Sequence, residues 1–185
     1  MTTASTAFRD HDLDTAPPAS RAFLRATQAQ LGFIPAAMAR LAEAPTVLDA
    51  FARLQQIWDG ASLGLLEREV VTFEVAHDNG CELCVAFHSA MLSRADQPAL
   101  LAALRARRPL DDPRLEALRR FTRAVLDARG AVDDDALAAF RAAGFDNRQA
   151  LDVVLGIATY TLSTYANRLV RAPVDPPLAA FAPDR

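Results

Sequence analysis

The stretch that decides how this chain is interpreted runs from Glu69 to His88 and reads EVVTFEVAHDNGCELCVAFH. Its first part carries apolar residues at helical spacing, and Gly80 then ends the helix. Cys81 and Cys84 follow directly and are one helical turn apart, so their sulfur atoms share a face. His88 comes one turn later on that face. The stretch therefore predicts two helices joined at Gly80, with both thiols in the first turn of the second.

This position favours reactive thiols. The free N–H groups and the positive dipole end of a helix N-terminus stabilise a thiolate. His88 can take the thiol proton of Cys84 or return a proton to a leaving group. A carboxylate on the preceding helix could orient the imidazole, and spacing alone does not decide whether Glu69 or Glu74 faces inward. We interpret the pair of cysteines as a dithiol redox centre.

Composition narrows the function classes. The chain has 185 residues, enough for one domain with a sizeable core, and its net charge of -3 does not suit nucleic-acid binding. All 20 basic residues are arginine, so chemistry that needs a lysine, such as a Schiff base or a P-loop, is excluded. Two cysteines are too few to hold a disulfide scaffold together.

The apolar pattern predicts an all-α fold of about eight helices with short connections. We expect an extended N-terminal arm over residues 1–19, a helical domain over residues 20–175 and a C-terminal coil over residues 176–185. Ser20 is the expected N-cap of the first helix, and His11 is expected to be solvated in the arm. The sequence shows no signal peptide and no membrane span, so we expect a cytoplasmic protein without a membrane partner.

Other interpretations of the same residues stay open at this point. The cysteines could be inert small apolar side chains, or Cys81, Cys84, His88 and His77 could bind a structural zinc ion. A structural role is the simpler interpretation of His77, which lies near a helix C-terminus. Asn167, near the end of the last long helix, is expected to make a local cap or packing contact.

The chain resembles the alkylhydroperoxidase AhpD-like / carboxymuconolactone decarboxylase family, in its peroxidase-related branch. The matching pattern is a glutamate, eleven residues, Cys-x-x-Cys, three residues and a histidine, here Glu69, Cys81, Cys84 and His88. The likeness extends over most of residues 20–175, including the segments LGFIP at 31–35 and ANRL at 166–169.

The resemblance implies an all-helical AhpD-like bundle that forms homo-oligomers, usually trimers or hexamers. It also implies thiol-dependent reduction of hydroperoxides without haem, flavin or another cofactor. In that scheme Cys84 attacks the peroxide, Cys81 resolves the sulfenic acid to a disulfide, and Glu69 and His88 relay protons. A dithiol donor, such as a dihydrolipoyl protein, reduces the disulfide.

One feature departs from the family pattern, and a second leaves two candidates for the attacking cysteine. Well-characterised AhpD proteins carry a histidine between the two cysteines, where this chain has Glu82 and Leu83. By analogy with other Cys-x-x-Cys helices, Cys81 should be the more exposed thiol and the nucleophile, whereas the family pattern and the face shared with His88 favour Cys84. Two alternative functions remain: a redox-sensing or disulfide-exchange protein without turnover, and an acid/base enzyme of the decarboxylase type.

Overall fold

The computed structural model describes residues 8–183, and in that range the chain forms helices and no strand. The all-α prediction is confirmed. The C-terminal segment forms a short 3₁₀-helix, Pro176–Phe181, where the sequence predicted coil. The α-helices of the described range are α1 Pro18–Leu31, α2 Ala36–Leu41, α3 Pro45–Asp59, α4 Leu65–Asp78, α5 Glu82–Arg94, α6 Pro98–Arg105, α7 Pro113–Asp127, α8 Asp134–Ala142 and α9 Asn147–Leu169.

Helix α4 is the centre of the molecule, and α5, α7 and α9 all pack against it. Every residue from 69 to 76 is buried, so the helix has no solvent-facing side over two turns. A helix that is buried all round lies inside the core. This position brings the carboxylates of Glu69 and Glu74 into the protein interior, where each requires a partner.

The start of α1 differs from the prediction. The helix begins at Pro18, whose missing N–H suits a first helical position, and Ser20 lies inside it. Ser20 is therefore not an N-cap: its buried hydroxyl donates a hydrogen bond to the carbonyl oxygen of Ala42, 2.8 Å away. This contact ties α1 to the end of α2.

The segment before α1 packs against the domain over its described part. Residues 1–7 of the predicted arm lie outside the described residues. The expectation of a solvated His11 is wrong, because only 7% of this residue is exposed. Its Nε2 atom lies 2.7 Å from the Glu43 carboxylate, and its backbone N–H donates to the carbonyl oxygen of Ala39. These partners hold the segment across α2.

Close packing of α3 against α9 depends on a glycine. Gly156 lies in the middle of α9 and faces Trp58 of α3, which is almost fully buried. A methyl group at position 156 would lie 2.5–2.9 Å from three carbon atoms of the Trp58 ring. Such distances are shorter than van der Waals contact, so only glycine permits this approach of the two helices.

Across the described range, no helix is both long enough and apolar enough to cross a membrane.

Replacing Gly156 with alanine should destabilise the fold. Alanine improves helix propensity by about 1 kcal/mol, but overpacking against Trp58 costs roughly 1–3 kcal/mol, so a net loss of about 1 kcal/mol is expected. Urea unfolding at matched protein concentration measures it. Gly60→Ala is the control, because a methyl group there meets only ordinary contacts of 3.6 Å and beyond. A Gly156→Ala protein as stable as Gly60→Ala would contradict the packing argument.

Candidate functional site

A left-handed turn at Gly80 joins α4 to α5. The φ angle of Gly80 is +61°, a conformation that glycine adopts without the steric cost of a side chain. The Gly80 N–H donates to the carbonyl oxygen of His77, and the Cys81 N–H donates to that of Ala76 at 2.9 Å. This pair of bonds closes the end of α4 in a Schellman motif. The chain then turns sharply, and Cys81 becomes the residue before α5.

The two cysteines are joined by a disulfide at the N-terminus of α5, with their Cα atoms 5.3 Å apart. Cys81 is the N-cap, and its sulfur accepts the backbone N–H of Cys84 at 3.3 Å. The predicted placement of both sulfurs at the first turn is confirmed. The expectation that Cys81 is the more exposed residue is wrong, since 2% of Cys81 and 6% of Cys84 are accessible. Cys81 is buried because its side chain turns inward to cap the helix.

Glu69 and His88 face each other between α4 and α5. The Nδ1 atom of His88 lies 2.9 Å from the carboxylate of Glu69, and both side chains are buried. An imidazole that donates from Nδ1 to a carboxylate has its orientation fixed, and Nε2 is left to accept or deliver a proton. Glu69 is therefore the inward-facing acid that pairs with the histidine.

Aromatic rings pack around this pair. Tyr160 of α9 meets the His88 ring edge-on, with centroids 5.2 Å apart, and Phe87 meets it with centroids 5.4 Å apart. Burial raises the pKa of the Tyr160 hydroxyl, and the nearby charge of Glu69 adds to the effect. Tyr160 therefore stays protonated over the physiological range and packs as an uncharged ring against the imidazole.

Glu74 belongs to a different cluster. Its carboxylate lies 3.6 Å from a guanidinium nitrogen of Arg119 and 3.7 Å from one of Arg123, both on α7. Burial raises the pKa of Glu74, and the charges of Arg119 and Arg123 oppose that shift. This acid ties α4 to α7 and does not contact His88.

The contacts of His77 are also made with residues other than the cysteines. Its Nε2 atom lies 3.0 Å from the carbonyl oxygen of Leu104, and its ring packs against Phe73. Burial lowers the pKa of His77, and the positive charge of Arg107 acts in the same direction. Among residues 8–183 no group of three or more His, Cys, Asp or Glu side chains is arranged to hold a metal ion. The structural interpretation of His77 fits these contacts, whereas a zinc site formed with Cys81 and Cys84 does not.

Asn167 is a site residue that the sequence did not reveal. It lies on α9, 83 residues from Cys84, and its buried amide nitrogen lies 3.5 Å from the Cys84 sulfur. The same nitrogen contacts the hydroxyl oxygen of Ser163 at 3.4 Å. Its other amide atom, Oδ1, is buried and accepts no hydrogen bond from the described part of the chain. An amide that touches the sulfur stabilises negative charge there.

A pocket of about 420 Å³ opens beside the disulfide. The start of α5, including Cys81, forms one wall. The end of α9, including Asn167 and Arg168, forms another wall, and the segment that follows the helix, including Arg171, forms the rest. The walls of the pocket thus include one cysteine and the asparagine that contacts the other.

Comparison with known proteins establishes the fold. The chain matches no protein-family model and no curated protein. A solved AhpD-core structure, that of an uncharacterized peroxidase-related protein from Ralstonia eutropha, is similar over 96% of both chains, with a TM-score of 0.82 and 22% identity. A peroxidase-related protein from a Silicibacter species gives a TM-score of 0.76 and 20% identity over 98% of this chain and 96% of its own.

A cysteine-to-alanine variant of the debrominase Bmp8, solved with 2,3,4-tribromopyrrole, is also similar. Its TM-score is 0.75 at 15% identity, over 97% of this chain and 96% of its own. Three-dimensional likeness over nearly the whole length confirms the AhpD-like fold that the sequence predicted. At this level of identity the likeness concerns the fold, and function has to be argued from the site.

Proposed function

We propose that this protein is a thiol-dependent hydroperoxide reductase. The observation that carries the proposal is the buried Glu69–His88 pair on the helix face that also bears Cys84, behind a disulfide at the α5 N-terminus. Dithiol redox enzymes need a cysteine pair in bonding contact, a setting that favours thiolate, and a group that moves protons. The site contains all three.

The proposed cycle starts from the reduced dithiol. His88 accepts the Cys84 proton, and the thiolate attacks the terminal oxygen of the hydroperoxide, so that the O–O bond breaks. The alkoxide leaves as an alcohol with the proton from His88, and Cys84 becomes a sulfenic acid. Cys81 then attacks the Cys84 sulfur, water leaves, and the disulfide forms. A dithiol donor, for which a dihydrolipoyl protein is the candidate, returns two electrons and two protons.

Separate side chains support these steps. Glu69 holds the imidazole in one orientation through the 2.9 Å contact. Asn167 donates to the Cys84 sulfur and so favours its anionic state. Cys81, bound to Cys84 in the oxidised form, already has the position of a resolving thiol. Glu82, between the cysteines, supplies no imidazole, so the relay rests on His88.

The test is consumption of cumene hydroperoxide in the presence of excess dithiol reductant. Cys84→Ser should abolish turnover because it removes the attacking sulfur. Glu69→Gln should lower the rate by about 10²-fold, a typical contribution of acid–base assistance. Glu74→Gln is the matched control: it also neutralises a buried glutamate of α4, but one that faces Arg119 and should leave the rate close to wild type.

Turnover by Cys84→Ser at the wild-type rate would refute the proposal, and so would equal losses in Glu69→Gln and Glu74→Gln. Wild-type protein that forms its disulfide with one equivalent of peroxide but never turns over would support the redox-sensing alternative instead. Acid/base activity that survives replacement of both cysteines would support the decarboxylase-type alternative.

We also propose that the protein works as a homo-oligomer. Helix α9 bears an exposed apolar stripe, on which Leu151, Val154, Tyr165 and Leu169 are 48–71% accessible. Ile57, on the neighbouring α3, is 57% accessible. Large apolar side chains grouped on one face are typical of contact surfaces between subunits.

Light scattering during gel filtration should give a multiple of the monomer mass, with a trimer or hexamer as the expected state. Leu151→Asp should shift the mass downward, because a buried carboxylate on the stripe has no partner. Ala138→Asp, the same change at an exposed position of α8, is the control. A wild-type monomer would refute the oligomer proposal.

A further inference from the structure

The pocket beside the disulfide is lined by both apolar and polar residues. Its volume of about 420 Å³ lies in the range of about 300–1,000 Å³ that is typical of small-molecule sites. The apolar residues suit a short carbon skeleton, and they are Leu83, Ala172, Pro173, Val174, Ala182 and Pro183.

The polar residues of the lining include groups that bind anions. Arg168 and Arg171 both line the pocket, and no acidic side chain within 4 Å pairs with either of them in the described range. Arg168 donates to the carbonyl oxygen of Asn79 at 2.5 Å, a bond that holds its guanidinium at the pocket wall. Glu82 contributes one carboxylate to the lining, so two positive charges face one negative charge.

The backbone adds to this character. The pocket wall includes Glu82 and Leu83, the first two residues of the 13-residue helix α5. Within residues 8–183 their N–H groups have no hydrogen-bond acceptor, as is usual for a first helical turn. Free N–H groups at the positive end of a helix dipole attract anions.

Asn167 supplies an independent observation. The residue is 6% exposed, lines the pocket, and has its amide nitrogen against the Cys84 sulfur. Its Oδ1 atom is buried without a donor among the described residues, and leaving such an acceptor unpaired costs free energy. A ligand whose reacting end carries an O–H or S–H hydrogen would satisfy this acceptor next to the sulfur.

We propose that the pocket binds a small organic molecule with a carboxylate at one end and a hydroperoxide or a dithiol at the other. The carboxylate binds to Arg168, Arg171 and the α5 N-terminus, and the reacting group donates to Asn167 Oδ1. The inference rests on the proposed function and names the substrate class of that site. A hydroperoxide enters as the oxidant of the cycle above, and a small dithiol enters as its two-electron reductant in place of a protein-bound donor, so neither requires a further reactant.

Binding can be measured without turnover. The probe is 4-isopropylbenzoate, titrated into the disulfide form by calorimetry, with uncharged 4-isopropylbenzamide as its partner. Wild type should bind the carboxylate about tenfold more tightly than the amide, the difference expected for one charge-assisted hydrogen bond. Arg171→Gln should remove the preference. This variant is expected to fold, because Arg171 is exposed. Arg148→Gln, at the exposed start of α9 and outside the pocket lining, is the control and should keep the preference.

Kinetic comparisons distinguish the two sources of the carboxylate. Cumene hydroperoxide is compared with its 4-carboxy derivative, and dihydrolipoamide is compared with dihydrolipoate, which differs from it only by the charged end. A lower KM for the charged member of the first pair identifies the peroxide as the ligand. A lower KM for the charged member of the second pair identifies the reductant as the ligand. In either case Arg171→Gln should abolish the difference while Arg148→Gln preserves it.

Equal binding of benzoate and benzamide by wild type would overturn the inference, as would a preference that survives in Arg171→Gln. Carboxylate binding by a protein without peroxidase turnover would leave this inference standing and refute the proposed function. Turnover without any preference for the charged probes would leave the proposed function standing and overturn this inference.

Discussion

The left-handed turn at Gly80 is the constraint on which the site depends. It ends a helix whose central two turns are buried on all sides and starts α5 within two residues, so the first turn of α5 stays close to the core. Cys81 becomes an N-cap at that point, and Cys84 follows in the first turn. The direction that α5 then takes brings His88 opposite Glu69 of α4. A side chain at position 80 would strain this turn and displace the groups that follow it.

Two buried glutamates of α4 have different roles because their charged partners differ. Glu74 faces Arg119 and Arg123, whose positive charges do not titrate, so its partners are fixed. Glu69 faces His88, whose imidazole ring has one nitrogen to bind the carboxylate and a second to exchange a proton. The same residue type, five positions apart on one helix, therefore serves fold stability in one place and proton movement in the other.

The sequence predicted those parts of the site that are close along the chain. The distances among Gly80, Cys81, Cys84 and His88 follow from helix geometry, and their placement did not require the fold. Asn167 could not be predicted, because its contact with Cys84 joins residues 83 positions apart and depends on how α9 packs against α4 and α5. An asparagine near a helix end has many local roles, and nothing in its neighbours indicates a sulfur contact.

Contacts between residues far apart in the sequence also explain the other predictions that the structure contradicts. His11 is separated from Glu43 by 32 residues, and Ser20 from Ala42 by 22, so neither partner was apparent before the segments packed. The preference for Cys81 as the exposed thiol came from analogy with other Cys-x-x-Cys helices. It was wrong because here the N-cap side chain turns inward. Short-range patterns fixed the helices, whereas tertiary contacts decided which polar groups are buried.

The most direct test of the account is to trap the sulfenic acid. Reduced Cys81→Ser protein is treated with one equivalent of hydroperoxide and dimedone, and the adduct is located by mass spectrometry, with Cys84→Ser treated in parallel. We expect a dimedone adduct on Cys84 in the first protein and little or none on Cys81 in the second. An unmodified Cys84, or stronger modification of Cys81, would contradict the assignment of Cys84 as the sulfur that attacks the peroxide.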